Sequence, residues 1–343
     1  MKRTLIVLIF VLLNYPALSQ VDIDMIINDS VTDIEIPQLS FPIHKIAIKD
    51  TLIWASDYGN GKIFKSIDNG KTFQELTTLR SEYFESIQFL DSNTGFISGD
   101  YGYVYKTKDG GESWIEISPP IKNRIKANFR NDSTKNQKPD GVFVAYYSMH
   151  FISDSSGFVS GYSYNPKQGF RESYERVFFL TKDGGLTWRQ QNNLEKHNTL
   201  ESFKNKVRAP NMYFENEYFQ TKDISWRTGK SKEKSEMLIK TKYDANVSDT
   251  LILPETPYKR VMLRNIIFLT NNVGFIFGGS LDKQDESSII FRTNDGGKNW
   301  DYVESSVGHI HVAALNDQYL FLFGKRGLMK RIKKQEITRN KIN

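Results

Sequence analysis

The chain has 343 residues, no cysteine and a formal net charge of +6. The lack of cysteine excludes disulfides, thiolate metal sites, a cysteine nucleophile and a lipidated cysteine. Residues 325–343 hold eight basic residues and a single acid, Glu336. Without Lys2 and Arg3 the body up to Gly324 is therefore about −3, which points away from nucleic acid. At the N-terminus, Lys2 and Arg3 precede an apolar run from Leu5 to Leu13, too short to span a bilayer, and then Ala17-Leu18-Ser19. This order predicts a signal peptide over 1–19, cleavage before Gln20, and a secreted or periplasmic protein with no transmembrane segment left.

Four later segments share one pattern. They are Ser66-Ile-Asp68-Asn-Gly70-Lys-Thr-Phe73, Thr107-Lys-Asp109-Gly-Gly111-Glu-Ser-Trp114, Thr181-Lys-Asp183-Gly-Gly185-Leu-Thr-Trp188 and Thr293-Asn-Asp295-Gly-Gly297-Lys-Asn-Trp300. Asp-Gly and Gly-Gly suit tight turns that need positive φ, and the Asp carboxylate can accept backbone N–H groups of the turn. The closing aromatic opens the next strand. These features read as scaffold, not catalysis. The pattern resembles the Asp-box, or BNR repeat, of the sialidase-like propeller superfamily.

Ahead of the boxes lie short apolar runs and a Gly-Phe-x-x-Gly motif, at Gly95–Gly99, Gly157–Gly161 and Gly274–Gly278. Four short strands per unit, repeated along the chain, predict an all-β propeller of four-stranded antiparallel blades. In chain order the units are 44–79, 83–118, 147–191, a degenerate fourth, 265–304 and 311–334. The fourth unit takes strands from 212–214, 218–220, 237–241 and 250–253, with 243–246 where its box would stand. The sixth unit has three strands, and residues 32–36 can supply the missing one and close the ring. The expectation is six blades, with seven as the alternative if 119–146 hides another. The propeller would span 20–334, leaving a basic tail over 335–343.

In such a meander the boxes lie on one face and the insertions (119–145, 162–176, 189–211, 226–236 and 281–288) on the other. Insertions gathered on one face mark it for binding. Tyr101, Arg124, Tyr162, Tyr164, Arg171 and Trp226 are the candidate residues there, because aromatics with arginine anchor interfaces. His309 and His311 form a close pair without clear further ligands, so no metal and no cofactor is expected.

Sialidases carry an Arg-Ile-Pro motif, which is absent here. The nearest string is Glu35-Ile36-Pro37. The unit Gly-Phe-x-x-Gly followed by Lys-Thr-x-Asp-Gly-Gly-x-x-Trp is similar to repeats of the photosystem II stability/assembly factor family. That resemblance implies a non-catalytic exported propeller that holds a protein partner in the cell envelope. A glycan-binding or glycan-hydrolysing protein with a divergent site is the alternative, so activity as an enzyme is not the expectation.

Overall fold

The computed structural model describes residues 32–34, 43–81, 83–126, 140–190, 217–221, 224–230, 236–242, 247–282, 287–303, 308–324 and 329–339. The expected signal peptide and residues 212–214 and 243–246 lie outside these. The described chain is all-β apart from two short helices. Strand β1 (Thr32–Ile34) comes first. The first sheet holds β2 (Ile43–Lys49), β3 (Leu52–Asp57), β4 (Lys62–Ser66) and β5 (Gln74–Thr78). The second holds β6 (Phe84–Phe89), β7 (Gly95–Gly99), β8 (Val104–Thr107) and β9 (Ile115–Glu116). The third holds β10 (Phe143–Phe151), β11 (Gly157–Tyr164), β12 (Glu175–Thr181) and β13 (Arg189–Gln190), with helix α1 (Phe170–Ser173) between β11 and β12.

The fourth sheet holds β14 (Glu217–Thr221), β15 (Ile224–Lys230), β16 (Glu236–Lys242) and β17 (Val247–Ile252). The fifth holds β18 (Val261–Phe268), β19 (Gly274–Ser280), β20 (Ser288–Thr293) and β21 (Asp301–Val303). The last holds β22 (Ile310–Leu315), β23 (Tyr319–Gly324) and β24 (Met329–Lys333), followed by helix α2 (Lys334–Arg339). Every sheet is an open antiparallel meander. β1 adds to the outer edge of β24, with Thr32 opposite Arg331. First strands of successive sheets pack together: β2 against β6 and β22, β6 against β10, and β18 against β14 and β22.

Several boundaries differ from the sequence reading: the expected insertions 119–145, 162–176 and 189–211 give up their ends to β10, β11, β12 and β13, because these strands run further than their apolar runs. Residues 224–230, read partly as an insertion beginning at Trp226, form strand β15. Ile224, Trp226 and Thr228 alternate, and Trp226 and Thr228 are buried. The basic tail expected from 335 begins inside α2, whose Ile337 is buried in the same apolar cluster as Ile310, Leu322 and Ile332.

The four boxes share one hydrogen-bond plan. In the second sheet Thr107 Oγ1 donates to Asp109 Oδ1 (2.7 Å) and accepts the Gly111 N–H (2.9 Å). The other end of the carboxylate takes the Ser113 hydroxyl, and Ser113 N–H reaches Oδ1 at 2.9 Å. Ser66/Asp68/Thr72, Thr181/Asp183/Thr187 and Thr293/Asp295/Asn299 repeat it. The residue before the closing aromatic is therefore a fixed polar partner. Gly110 and Gly111 have φ of 73° and 97°, the left-handed region that glycine enters freely.

Each box is also a joint to the sheet before it. Trp54 Nε1 donates to the Gly110 carbonyl (2.8 Å), Phe89 stacks on Trp54 at 3.6 Å, and Trp114 meets Phe89 edge-on at 6.0 Å. Phe96, Phe151 and Trp188 form the same triad between the second and third sheets. Trp226, Phe268 and Trp300 form it between the fourth and fifth. A cation lies over each first ring: Lys65 on Trp54, Lys106 on Phe96, Lys240 on Trp226. The Lys240 ammonium donates to the Gly296 carbonyl at 3.0 Å. Arg331 over Tyr319 does likewise for the first sheet, donating to the Asn69 carbonyl at 3.1 Å.

Hydrogen bonds to the box carboxylates set their acidity. The Ser113 hydroxyl holds Asp109 down to about 2, and the Thr187 hydroxyl does the same for Asp183. At Asp295 burial pulls upward, but the Asn299 backbone N–H and amide outweigh it, again to about 2. A depressed carboxyl adds stability that is complete above its unfolded value and is lost as pH falls through its folded one. The melting temperature should therefore drop between about pH 4 and pH 2. An Asp109→Asn protein should start lower and lose less across that window. Parallel melting curves for the two proteins would refute the assignment.

Candidate functional site

Antiparallel order puts the boxes beside the turn between the first two strands of each sheet; the Asn69 N–H, for instance, donates to the Thr51 carbonyl at 3.1 Å. The starts of the first strands lie at the opposite end, with the β11–β12 insertion. Five first strands carry a one-residue register shift there. The residues passed over are His44, Glu85, Tyr147, Arg264 and His311. Such bulges re-aim a side chain and bend the strand. Opposite three of them stand Gly99, Gly161 and Gly278, where a Cβ would strike the carbonyls of Tyr83, Ala145 and Met262. This is the physical reason for the second glycine of Gly-Phe-x-x-Gly. The first glycine makes room for the stacked ring of Phe89, Phe151 or Phe268.

The bulged residues are polar or ionisable, and neighbours meet. His44 Nε2 lies 3.9 Å from a Glu85 carboxylate oxygen that Lys45 approaches to 3.7 Å. Tyr58 and Tyr83 pack edge-on against the His44 ring. Burial, then Lys45 and Arg264, push the imidazole down to about 3, so it is neutral. The sequence reading missed this set. Its signal was an apolar–polar pair breaking the alternation ten residues before the first motif glycine: Glu85 before Gly95, Tyr147 before Gly157, Arg264 before Gly274.

Beside Tyr147 stands an aromatic cluster. Tyr162 is within 6.4 Å of Tyr147, 6.3 Å of Tyr164 and 5.8 Å of Tyr174, with interplanar angles of 27–30°. Phe170 meets Tyr162 and Tyr164 edge-on at 5.6 and 5.2 Å. The connection carrying Phe170 is held firmly: the Ser173 hydroxyl accepts the Asn165 N–H (2.9 Å) and donates to the Gly169 carbonyl (2.6 Å). Tyr147 is 43% and Phe170 41% exposed. Burial, then Asp100, pushes the Tyr162 hydroxyl up to about 12, so that ring stays neutral.

The structure brings Tyr101, Tyr162 and Tyr164 together through Phe143, which lies 5.2 Å from Tyr101 and from Tyr164 and 6.4 Å from Tyr162. Arg171 is exposed on α1. Arg124 is engaged internally, donating to the Gly102 carbonyl (2.5 Å) and Glu116 (2.6 Å) and covering the Tyr103 ring. Trp226 is corrected outright. It is 0% exposed and occupies the inter-sheet triad, so no face presents it. The His309 and His311 rings lie 4.8 Å apart, tilted by 53°, and among the described residues no three His, Cys, Asp or Glu side chains gather for a metal. Among the same residues no helix is long and apolar enough to cross a membrane.

A solved structure of YCF48 bound to a D1 peptide superposes with a TM-score of 0.53 at 16% identity, over 89% of this chain and 95% of that one. The chain has a β-propeller fold. YCF48 from Cyanidioschyzon merolae is 14% identical over 84% of this chain and 82% of its own, with a TM-score of 0.44. A GH74 xyloglucanase from Xanthomonas campestris is 10% identical, with a TM-score of 0.47; 88% of this chain covers 46% of that enzyme. No family model and no curated protein matches the propeller in sequence.

Proposed function

We propose that this is an exported, non-catalytic propeller that holds a polypeptide partner of the cell envelope on the face opposite its boxes. On this reading cleavage precedes Gln20, the six sheets are six blades, and β1 closes the ring on β24. The observation that carries the proposal is the braced cluster of Tyr147, Tyr162, Tyr164, Phe170 and Tyr174 beside the bulged residues. Rigid, half-exposed tyrosines give large contact area at low entropic cost, as interface anchors do. The YCF48 structure, of the same fold, holds a peptide. Three arginines are engaged by carbonyls of the scaffold: Arg124, Arg260 and Arg331 donate to those of Gly102, Leu281 and Asn69.

The test is retention of solubilised envelope polypeptides on the purified protein, beside a Tyr147→Ser/Phe170→Ser protein. Both positions are exposed, so the fold should persist. A polypeptide held by the first and bound about ten-fold or more weakly by the second is the expected result. Equal retention by both, or recovery of glycan without polypeptide, would overturn the proposal.

A further inference from the structure

The outer edge of each sheet is a row of backbone donors and acceptors that invites another strand unless it is blunted. Here most outer strands are short: two residues in β9 and β13, three in β21 and β1. β5 is longer but polar, and its Glu75 is paired with Lys62 at 2.7 Å. β17 is the exception. It runs six residues, in unbroken register with β16 from Val247 opposite Lys242 to Ile252 opposite Met237. It has no proline, lysine or bulge, and its one charge is Asp249. Ile252 is 72% exposed and Val247 45%. Among the described residues no strand pairs with its outer side.

We propose that β17 pairs antiparallel with β17 of a second copy, joining two fourth sheets into one eight-stranded sheet across a two-fold axis. An extended backbone is what satisfies unpaired groups at strand spacing, and a two-fold dimer is the commonest symmetric assembly. Across an axis normal to the sheet, only residues on the same side of the strand can face each other. Centred on Thr250, the register sets Thr250 against its own copy, Asp249 against Leu251 and Ser248 against Ile252, so no like charges are opposed. Centred on Asp249, it would oppose two carboxylates. The formal net charge of +6 over 343 residues offers little repulsion between copies. This edge is on the outer rim and is independent of the partner-binding face, so either reading can fail alone.

Sedimentation velocity tests the proposal on the purified protein. The expected result is a dimer that Ile252→Lys converts to a monomer with an unchanged circular dichroism spectrum, since lysine is a residue that protects natural edges. The cysteine-free chain allows a second measurement. A Thr250→Cys protein should form a covalent dimer under mild oxidation, because facing strand positions lie within disulfide reach. A Glu75→Cys protein on β5 should not. A wild-type protein that stays monomeric at all concentrations, or a dimer that survives Ile252→Lys while Thr250→Cys fails to cross-link, would overturn the inference.

Discussion

Replacing Trp226 by alanine should cost about 3–5 kcal/mol of folding stability, the range for truncating a buried aromatic. The ring is fully buried, stacked on Phe268 at 5.3 Å and met edge-on by Trp300 at 6.0 Å, with the Lys240 ammonium 4.5 Å from its centre. Its loss strips three groups of their contacts at once and leaves Gly297 facing a void, since a Cβ on that glycine would touch the indole. The loss should appear as a lower urea midpoint at nearly unchanged slope. Partner retention by the protein that remains folded should be unaltered. A loss under about 1 kcal/mol would show that the site collapses around the gap and that the triad is not a fastening.

Gly161→Ala should be the most damaging of the glycine replacements, at about 3 kcal/mol, the upper end for overpacking. The added Cβ would overlap the Ala145 carbonyl and lie 2.9 Å from Tyr146 Cα. Both obstacles are backbone, on a strand that bulges at the next residue, so neither can rotate away. Gly308→Ala is the control: nothing lies within 4 Å of its Cβ, and the change should stay within about 0.5 kcal/mol. Thermal and urea unfolding of both proteins checks the pair. Equal stability would mean that the strands separate at the bulge without cost. Because Tyr147 projects from that bulge, the alanine protein should also lose partner retention, whereas Trp226→Ala should not.

Much of the fold was legible because a turn is a local object. Ser/Thr, Asp and Gly within five residues determine the box without reference to anything distant, and repetition supplied the architecture. The fourth sheet was harder. It has no box to anchor the count, and Trp226 looks like a loop aromatic until Lys240 is seen opposite it, as Lys65 is opposite Trp54. α2 was hidden because one buried residue, Ile337, outweighs the basic composition around it. The candidate face was half legible. Tyr162 and Tyr164 were singled out as aromatics of an insertion, and the structure sets them instead on one face of β11 by simple alternation. Arg124 failed because the Gly102 carbonyl and Glu116 that engage it are brought near only by folding. The bulged residues escaped because a bulge is defined by its partner strand, and a single strand read alone shows only a broken alternation.

The joints at the boxes have a consequence for how such a chain changes over time. Every described fastening between one sheet's box and the sheet before it sits at one end of the molecule: Trp54 with Gly110, Lys240 with Gly296, Arg331 with Asn69. The far end, which holds Phe170 and its helix, carries none of these box joints. Neighbouring sheets also meet there, through the Tyr58–Tyr83 and Asp100–Ala145 bridges, but loops outside those bridges can lengthen, shorten or be rewritten without disturbing a box joint. The molecule thus separates what must stay constant from what is free to drift, and new specificities can accumulate at one end while the other keeps the shape.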